Sequence, residues 1–151
     1  MTIASNGIAR DPTYGISSHL QLSDVKPLQH QLIYVKIGQY FGTTSSSYVT
    51  SSVAYVSSES LFNTYKKIRV SGLFHASASQ NAYFKLRYHT ADDVWYDIAG
   101  TETLVNTPWT MKTSPAGEIP TDADMISLWI KSDGTNGFNV YGNVYEFVEV
   151  R

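Results

Sequence analysis

Apolar and polar residues alternate with period two along much of the chain, and the clearest run is KKIRVSGLFHASASQNAYFKLRYHT at 66–90. Ile68, Val70, Gly72, Phe74 and Ala76 alternate with Lys67, Arg69, Ser71, Leu73 and His75; after a small polar loop, Ala82, Phe84, Leu86 and Tyr88 alternate with Tyr83, Lys85, Arg87 and His89. One apolar and one polar face per strand is the requirement of a half-buried antiparallel sheet. Joined as a hairpin, the pair takes the register that sets Phe74 beside Phe84, Gly72 beside Leu86 and Val70 beside Tyr88. A slip of one residue would mix the two faces. If successive strands instead cross between sheets, the same apolar faces meet across the core.

The same reading extends in both directions. HQLIYVKIGQYF (30–41) and SYVTSSVAYVSS (47–58) predict strands, and ESLFNTY (59–65) predicts a turn of helix or a loop. VWYDIA (94–99), TETLV (101–105) and WTMKT (109–113) predict three short strands. SPAGEIPTDAD (114–124), with two prolines and a glycine, reads as a loop. MISLWIKS (125–132) alternates Ile126, Leu128 and Ile130 against Met125, Ser127, Trp129 and Lys131. DGTNG (133–137) reads as a hairpin turn, because glycine reaches positive φ at little cost. FNVYGNVYEFVEV (138–150) is a long strand in which Gly142 marks a bulge. About eight strands, no amphipathic helix and evenly spaced turns predict an all-β antiparallel sandwich of jelly-roll type over 30–151.

Residues 1–29 break this rhythm. Turn signals at Asn6-Gly7, Asp11-Pro12 and Tyr14-Gly15 interrupt them, and no period is sustained. They read as a poorly structured lead-in, or as an arm that orders on a neighbouring subunit through Ile3, Ile8, Tyr14, Ile16, Leu20 and Leu22.

Composition narrows the function. The 151 residues fit one domain. Only 16% are charged, 13% are aromatic, and the 11 tyrosines are a high share. A net charge of −2 gives no electrostatic footprint for nucleic acid or an anionic membrane. The absence of cysteine excludes disulfides and thiolate metal sites. No basic segment followed by an apolar run opens the chain, and no apolar stretch reaches membrane-spanning length, so it is expected to be soluble and made in the cytosol.

Candidate chemistry is thin. His19, His30, His75 and His89 have no metal-ligand spacing, and the last two fall on polar strand faces, where solvated surface histidines are expected. None of GxSxG, GxxxxGK[ST], HExxH or GxGxxG occurs, and no serine has an activating partner pattern. Asp92, Asp93 and Asp97 cluster in one turn, and Glu118, Asp122 and Asp124 in another; turn formation explains them better than a glycosidase pair. Calcium at Asp122, Asp124 or Asp133 would lack an EF-hand-like ligand series. The reading is therefore of a protein that is not an enzyme and needs no cofactor or metal. The aromatics carry the remaining chemistry: Trp95, Tyr96 and Trp109 near loops, and Trp129 on an outer strand face, are suited to stacking on sugar rings or filling a core or subunit interface.

The serine- and threonine-rich GTTSSSYVTSSVAYV, the pair IRVSGLFHA and AYFKLRYHT, and the ending DADMISLWIKSDGTNGFNVYGNVYEFVEV resemble jelly-roll domains of bacteriophage virions, over about two-thirds of the chain. Such domains occur in capsid decoration proteins, head fibres and tail-fibre tips, often as trimers. The resemblance implies a virion component that clamps capsid or tail subunits or touches host glycans, with the polar arm as an anchor. The alternative is a carbohydrate- or receptor-binding module with Trp95, Tyr96 or Trp109 as its platform.

Overall fold

The computed structural model describes residues 40–50 and 55–151 in full, and residues 32–36 as backbone. The 1–29 arm and its six anchors lie outside the described residues. Among the described residues the strands are β1 (Leu32–Lys36), β2 (Phe41–Thr43), β3 (Tyr55–Val56), β4 (Tyr65–His75), β5 (Ala82–His89), β6 (Trp95–Asp97), β7 (Thr103–Val105), β8 (Thr110–Thr113), β9 (Gly117–Glu118), β10 (Met125–Lys131) and β11 (Phe138–Val150), and a helix, α1 (Glu59–Thr64), precedes β4.

Among the described residues all pairings are antiparallel and fall into two sheets. The first runs β1-β11-β4-β8, with β2 also on β11 and β9 also on β4; the second runs β3-β10-β5-β6, with β7 also on β5. Counting β1 with β2, β6 with β7 and β8 with β9 leaves eight strand positions. Their order is first, eighth, third, sixth in one sheet and second, seventh, fourth, fifth in the other. That is the order of a jelly roll, in which the chain crosses between sheets at most of its turns.

The alternation read from the sequence sets the packing. In β4, Ile68, Val70 and Phe74 are fully buried, and in β5 so are Ala82, Phe84 and Leu86. The two strands do not pair as a hairpin, since they belong to opposite sheets. Phe74 still meets Phe84, now face to face across the sandwich, with ring centroids 4.3 Å apart and planes 14° from parallel. Phe138 also stacks on Phe74, at 5.6 Å and 15° from parallel. Gly72 makes room for this stack, because a Cβ there would come within 2.9 Å of the Phe74 ring.

The DGTNG segment likewise reverses the chain without making a hairpin, because β10 and β11 lie in different sheets. Gly134 takes the expected positive φ of 91°. The Asp133 carboxylate accepts from the backbone N–H of Thr135 (2.9 Å) and of Asn136 (2.8 Å), and Gln80, buried, donates to Ser132 Oγ at 2.7 Å. Side chains thus satisfy a crossing that ladder bonds do not. Gly142, at φ 145°, sits where the β11–β4 register shifts between Val140 and Asn143, so the expected bulge is present. The loop expected at 114–124 contains the short β9.

One end of the sandwich is closed by α1, whose N-cap Ser58 accepts from Leu61 N–H at 3.4 Å and whose Phe62 packs 6.2 Å from Phe147. Between the sheets, Leu128 N–H donates to the hydroxyl of fully buried Tyr145 at 3.2 Å. No helix among the described residues is long and apolar enough to cross a membrane.

Candidate binding surfaces

The three aromatics singled out from the sequence stand in three places. Trp95 lies on the outer face of the second sheet, its ring 5.1 Å from His89 and 5.5 Å from Trp129. The Arg87 guanidinium lies 4.6 Å above Trp129, and Arg87 and Lys85 both pair with Asp97, at 2.9 and 2.8 Å. Tyr48 covers the same face, under the Lys85 ammonium at 4.0 Å, and its hydroxyl donates to Glu102. Burial, and then the Glu102 carboxylate, push the Tyr48 phenol well above its ordinary range. This face is a closed network of ion pairs and cation–π contacts in which most groups already have partners.

Tyr96 is one residue on and projects to the opposite side of β6. Its ring stacks on Tyr88 at 5.4 Å, and it is 41% exposed at the edge of the sandwich. The nearby Asp92 charge raises the Tyr96 phenol. The edge is concave here, with a cleft of about 320 Å³ lined by Tyr88, Thr90, Ala91, Asp92, Tyr96 and Asp122.

Trp109 belongs to the first sheet, just before β8. It is 58% exposed, and its backbone sits at φ 47°, in the left-handed region that bulky residues avoid. Its ring meets His75 edge-on at 4.8 Å and Tyr141 at 4.9 Å, and Tyr141 meets Tyr40 at 4.8 Å. Met111, two residues on along the same face, is more exposed still. Tyr40, Trp109, Met111 and Tyr141 are thus four of the large apolar side chains that the described residues leave exposed, gathered in one patch. The Tyr40 hydroxyl donates to Asn139 Oδ1 at 3.1 Å. Asn139 can lie there because residue 42 is glycine: a Cβ at that position would come 1.9 Å from the same oxygen.

The histidine expectation needs one correction. His75 is half-buried against Trp109, but His89 is no solvated surface residue. Its side chain is 11% exposed, Nε2 lies 2.9 Å from Asp93, and Nδ1 lies 2.6 Å from Asp124. These two carboxylates hold the imidazole above its ordinary pKa, Asp93 contributing most. The strand period placed His89 outward, as found, but the chain folds back over it on both sides, and no local pattern encodes that. Asp133 is a turn former, as expected, and the Asn136 and Thr135 amides hold its carboxyl down at about 2. Among the described residues, no group of three or more His, Cys, Asp or Glu is placed to hold a metal ion.

Tyr40, His75 and Tyr141 were not foreseen as partners of Trp109. The signal available was the glycine after Tyr141, since a bulge redirects the side chains beside it.

No family model matches the chain, and no curated protein sequence does. Among solved structures, it is similar to CBM22-1-GH10 modules of Clostridium thermocellum xylanase 10B, complexed with xylohexaose, at TM-score 0.48 and 12% identity over 79% of this chain and 28% of that one. It is similar to the C-terminal family 22 carbohydrate binding module of the same xylanase at TM-score 0.45 and 19% identity, over 77% of this chain and 93% of the module. It is also similar to a chain of the T13 particle of infectious bursal disease virus at TM-score 0.46 and 13% identity, over 78% of this chain and 31% of that one. The chain spans under a third of the xylanase and capsid chains. The neighbours thus include both carbohydrate-binding modules and viral capsid proteins, and no residue or role is carried over from either.

Proposed function

We propose that the chain is a non-enzymatic structural protein of a virus particle, of the capsid decoration or fibre kind, that acts by adhesion between subunits. The observation that carries the adhesion is the Trp109 patch. Trp109 is held exposed on a backbone conformation costing about 1–2 kcal/mol, and such strain persists where the surroundings impose it and clusters at functional positions. Around it stand Tyr40, Tyr141 and Met111, and none of the four is charged. Exposed Trp, Tyr and Met without charge are the composition of a protein interface core, and Trp and Tyr dominate its energetics.

A sugar would need hydrogen-bonding groups around the rings. Here the Tyr40 hydroxyl is already tied to Asn139 and Met111 offers none, so such groups are limited to the Tyr141 hydroxyl, the Trp109 indole N–H and His75. The preference for a protein surface over a glycan rests on Met111 and on the lack of any charged side chain among the four. The virion assignment draws on the sequence resemblance to phage jelly rolls, and with it the expected location in the virion and the preference for a homotrimer. Residues 1–29 supply a second contact in this reading, to a neighbouring copy or to a capsid or tail protein.

Light scattering on a sizing column tests the reading. The full chain should run as an oligomer, and deleting residues 1–29 should lower its mass while leaving the circular dichroism of the sandwich in place. A truncated chain that loses its β-sheet spectrum would count against a separable arm.

A further inference from the structure

Along the open edge of the sandwich, the cleft beneath Tyr96 adjoins a second one of about 490 Å³, and Tyr88 lines both. Each falls in the range of small-ligand sites, about 300–1,000 Å³. The second cleft is lined in part by the apolar Ile98, Ala99 and Pro120 and by the carboxylates of Asp97 and Glu118. We propose that this groove binds a neutral saccharide, with a pyranose ring against the Tyr88–Tyr96 stack and its hydroxyls donating to Asp92 and Asp122.

Four observations select that ligand class. A stacked pair of phenol rings, one of them 41% exposed, offers a flat apolar surface of the kind that C–H faces of sugar rings cover. Asp122 has no hydrogen bond or ion pair among the described residues, so its carboxylate is free to accept. Asp92 accepts from Thr90 and, at 3.5 Å, from Tyr96, which leaves capacity on a group with about four lone-pair sites. Charge disfavours the anionic alternatives: Asp97 is neutralised by Lys85 and Arg87, but Asp92, Asp122 and Glu118 also line the two clefts, and the one cation there, Lys67, is already paired with Glu149 at 2.9 Å. Hydroxyl groups donating to ionised carboxylates make short, strong hydrogen bonds, so the same charge that repels a phosphate or a uronic acid favours a polyol.

The groove is separate from the Trp109 patch, and the inference does not rest on the assembly role proposed for it. The test is calorimetric titration of the full chain with maltohexaose, cellohexaose and mannohexaose at millimolar concentrations, with polygalacturonate as the anionic comparison. At least one neutral hexasaccharide should bind, and polygalacturonate should not. Tyr96→Ala and Asp122→Asn should each weaken the binding by about tenfold, with circular dichroism and solution mass unchanged. Trp109→Ser should leave it intact. The proposal is overturned if none of the three neutral sugars binds, if polygalacturonate binds more tightly, or if binding survives Tyr96→Ala and Asp122→Asn together.

Discussion

Trp109 sits at φ 47°, where an L-residue with a Cβ costs roughly 1–2 kcal/mol that glycine does not. Trp109→Gly and Trp109→Ala remove the same ring and differ in that backbone term, which the greater unfolded-chain freedom of glycine offsets only in part. The glycine variant should therefore be the more stable by about 1 kcal/mol, a difference of about 2–4 °C in melting temperature for a chain of this size. Equal melting temperatures would mean that the backbone at 109 is not strained. His89 gives a second prediction at this scale. Its pKa is raised in the folded state by Asp93 and Asp124 above the unfolded value near 6.5, so the clamp's contribution is fully present below pH 6.5. It is lost as pH rises through the folded pKa. Melting temperature should fall across that window in the wild type, and His89→Gln should flatten the fall; a parallel slope in both proteins would remove His89 as the cause. Neither feature was legible in the sequence. Positive φ at a tryptophan contradicts local propensity, and the His89 clamp joins β5 to a loop 35 residues away.

The elements were more legible than the residues, because a sheet strand with one buried face writes its period directly into the chain. β4 and β5 have the faces that alternation assigned them, and Phe74 found Phe84 although the strands are not neighbours in a sheet. Truncating Phe84→Ala should cost about 3–5 kcal/mol in denaturant unfolding. Leu73→Ser, on the outer face of β4, should cost less than about 1 kcal/mol. Comparable losses at the two positions would reverse the assigned faces. What period two does not encode is which sheet a strand joins: a turn such as DGTNG reverses the chain equally well within a sheet or between sheets. The crossing was written instead in the polar side chains that hold it. Asp133, with its carboxyl held at about 2 against an ordinary 3.8, stabilises the turn at neutral pH and loses that contribution as pH falls from about 4 through 2. Asp133→Ala should lower the melting temperature at pH 7, and the gap from wild type should close toward pH 2; a constant gap would assign the loss to something other than the charge.

At the scale of the whole molecule, the eight strand positions and the sandwich class follow from strand count, turn spacing and the lack of an amphipathic helix, whereas the order of the strands came from the structure. The surfaces did not follow from them. Trp95 and Trp109 are 14 residues apart and stand on different sheets, while Tyr40 and Trp109, far apart in sequence, share one patch. Tertiary crossing makes such patches, and a single sequence holds no record of it. The two outer faces also differ: the second sheet's pairs Lys85 and Arg87 with Asp97, and the first sheet's leaves Trp109, Tyr141 and Tyr40 exposed. The most direct test of that difference is the solution mass, by light scattering, of the full chain and of the Trp109→Ser/Tyr141→Ser double variant. An oligomer that becomes a folded monomer in the double variant is the predicted result. Equal masses for the two proteins would contradict it and remove the patch as the contact between subunits.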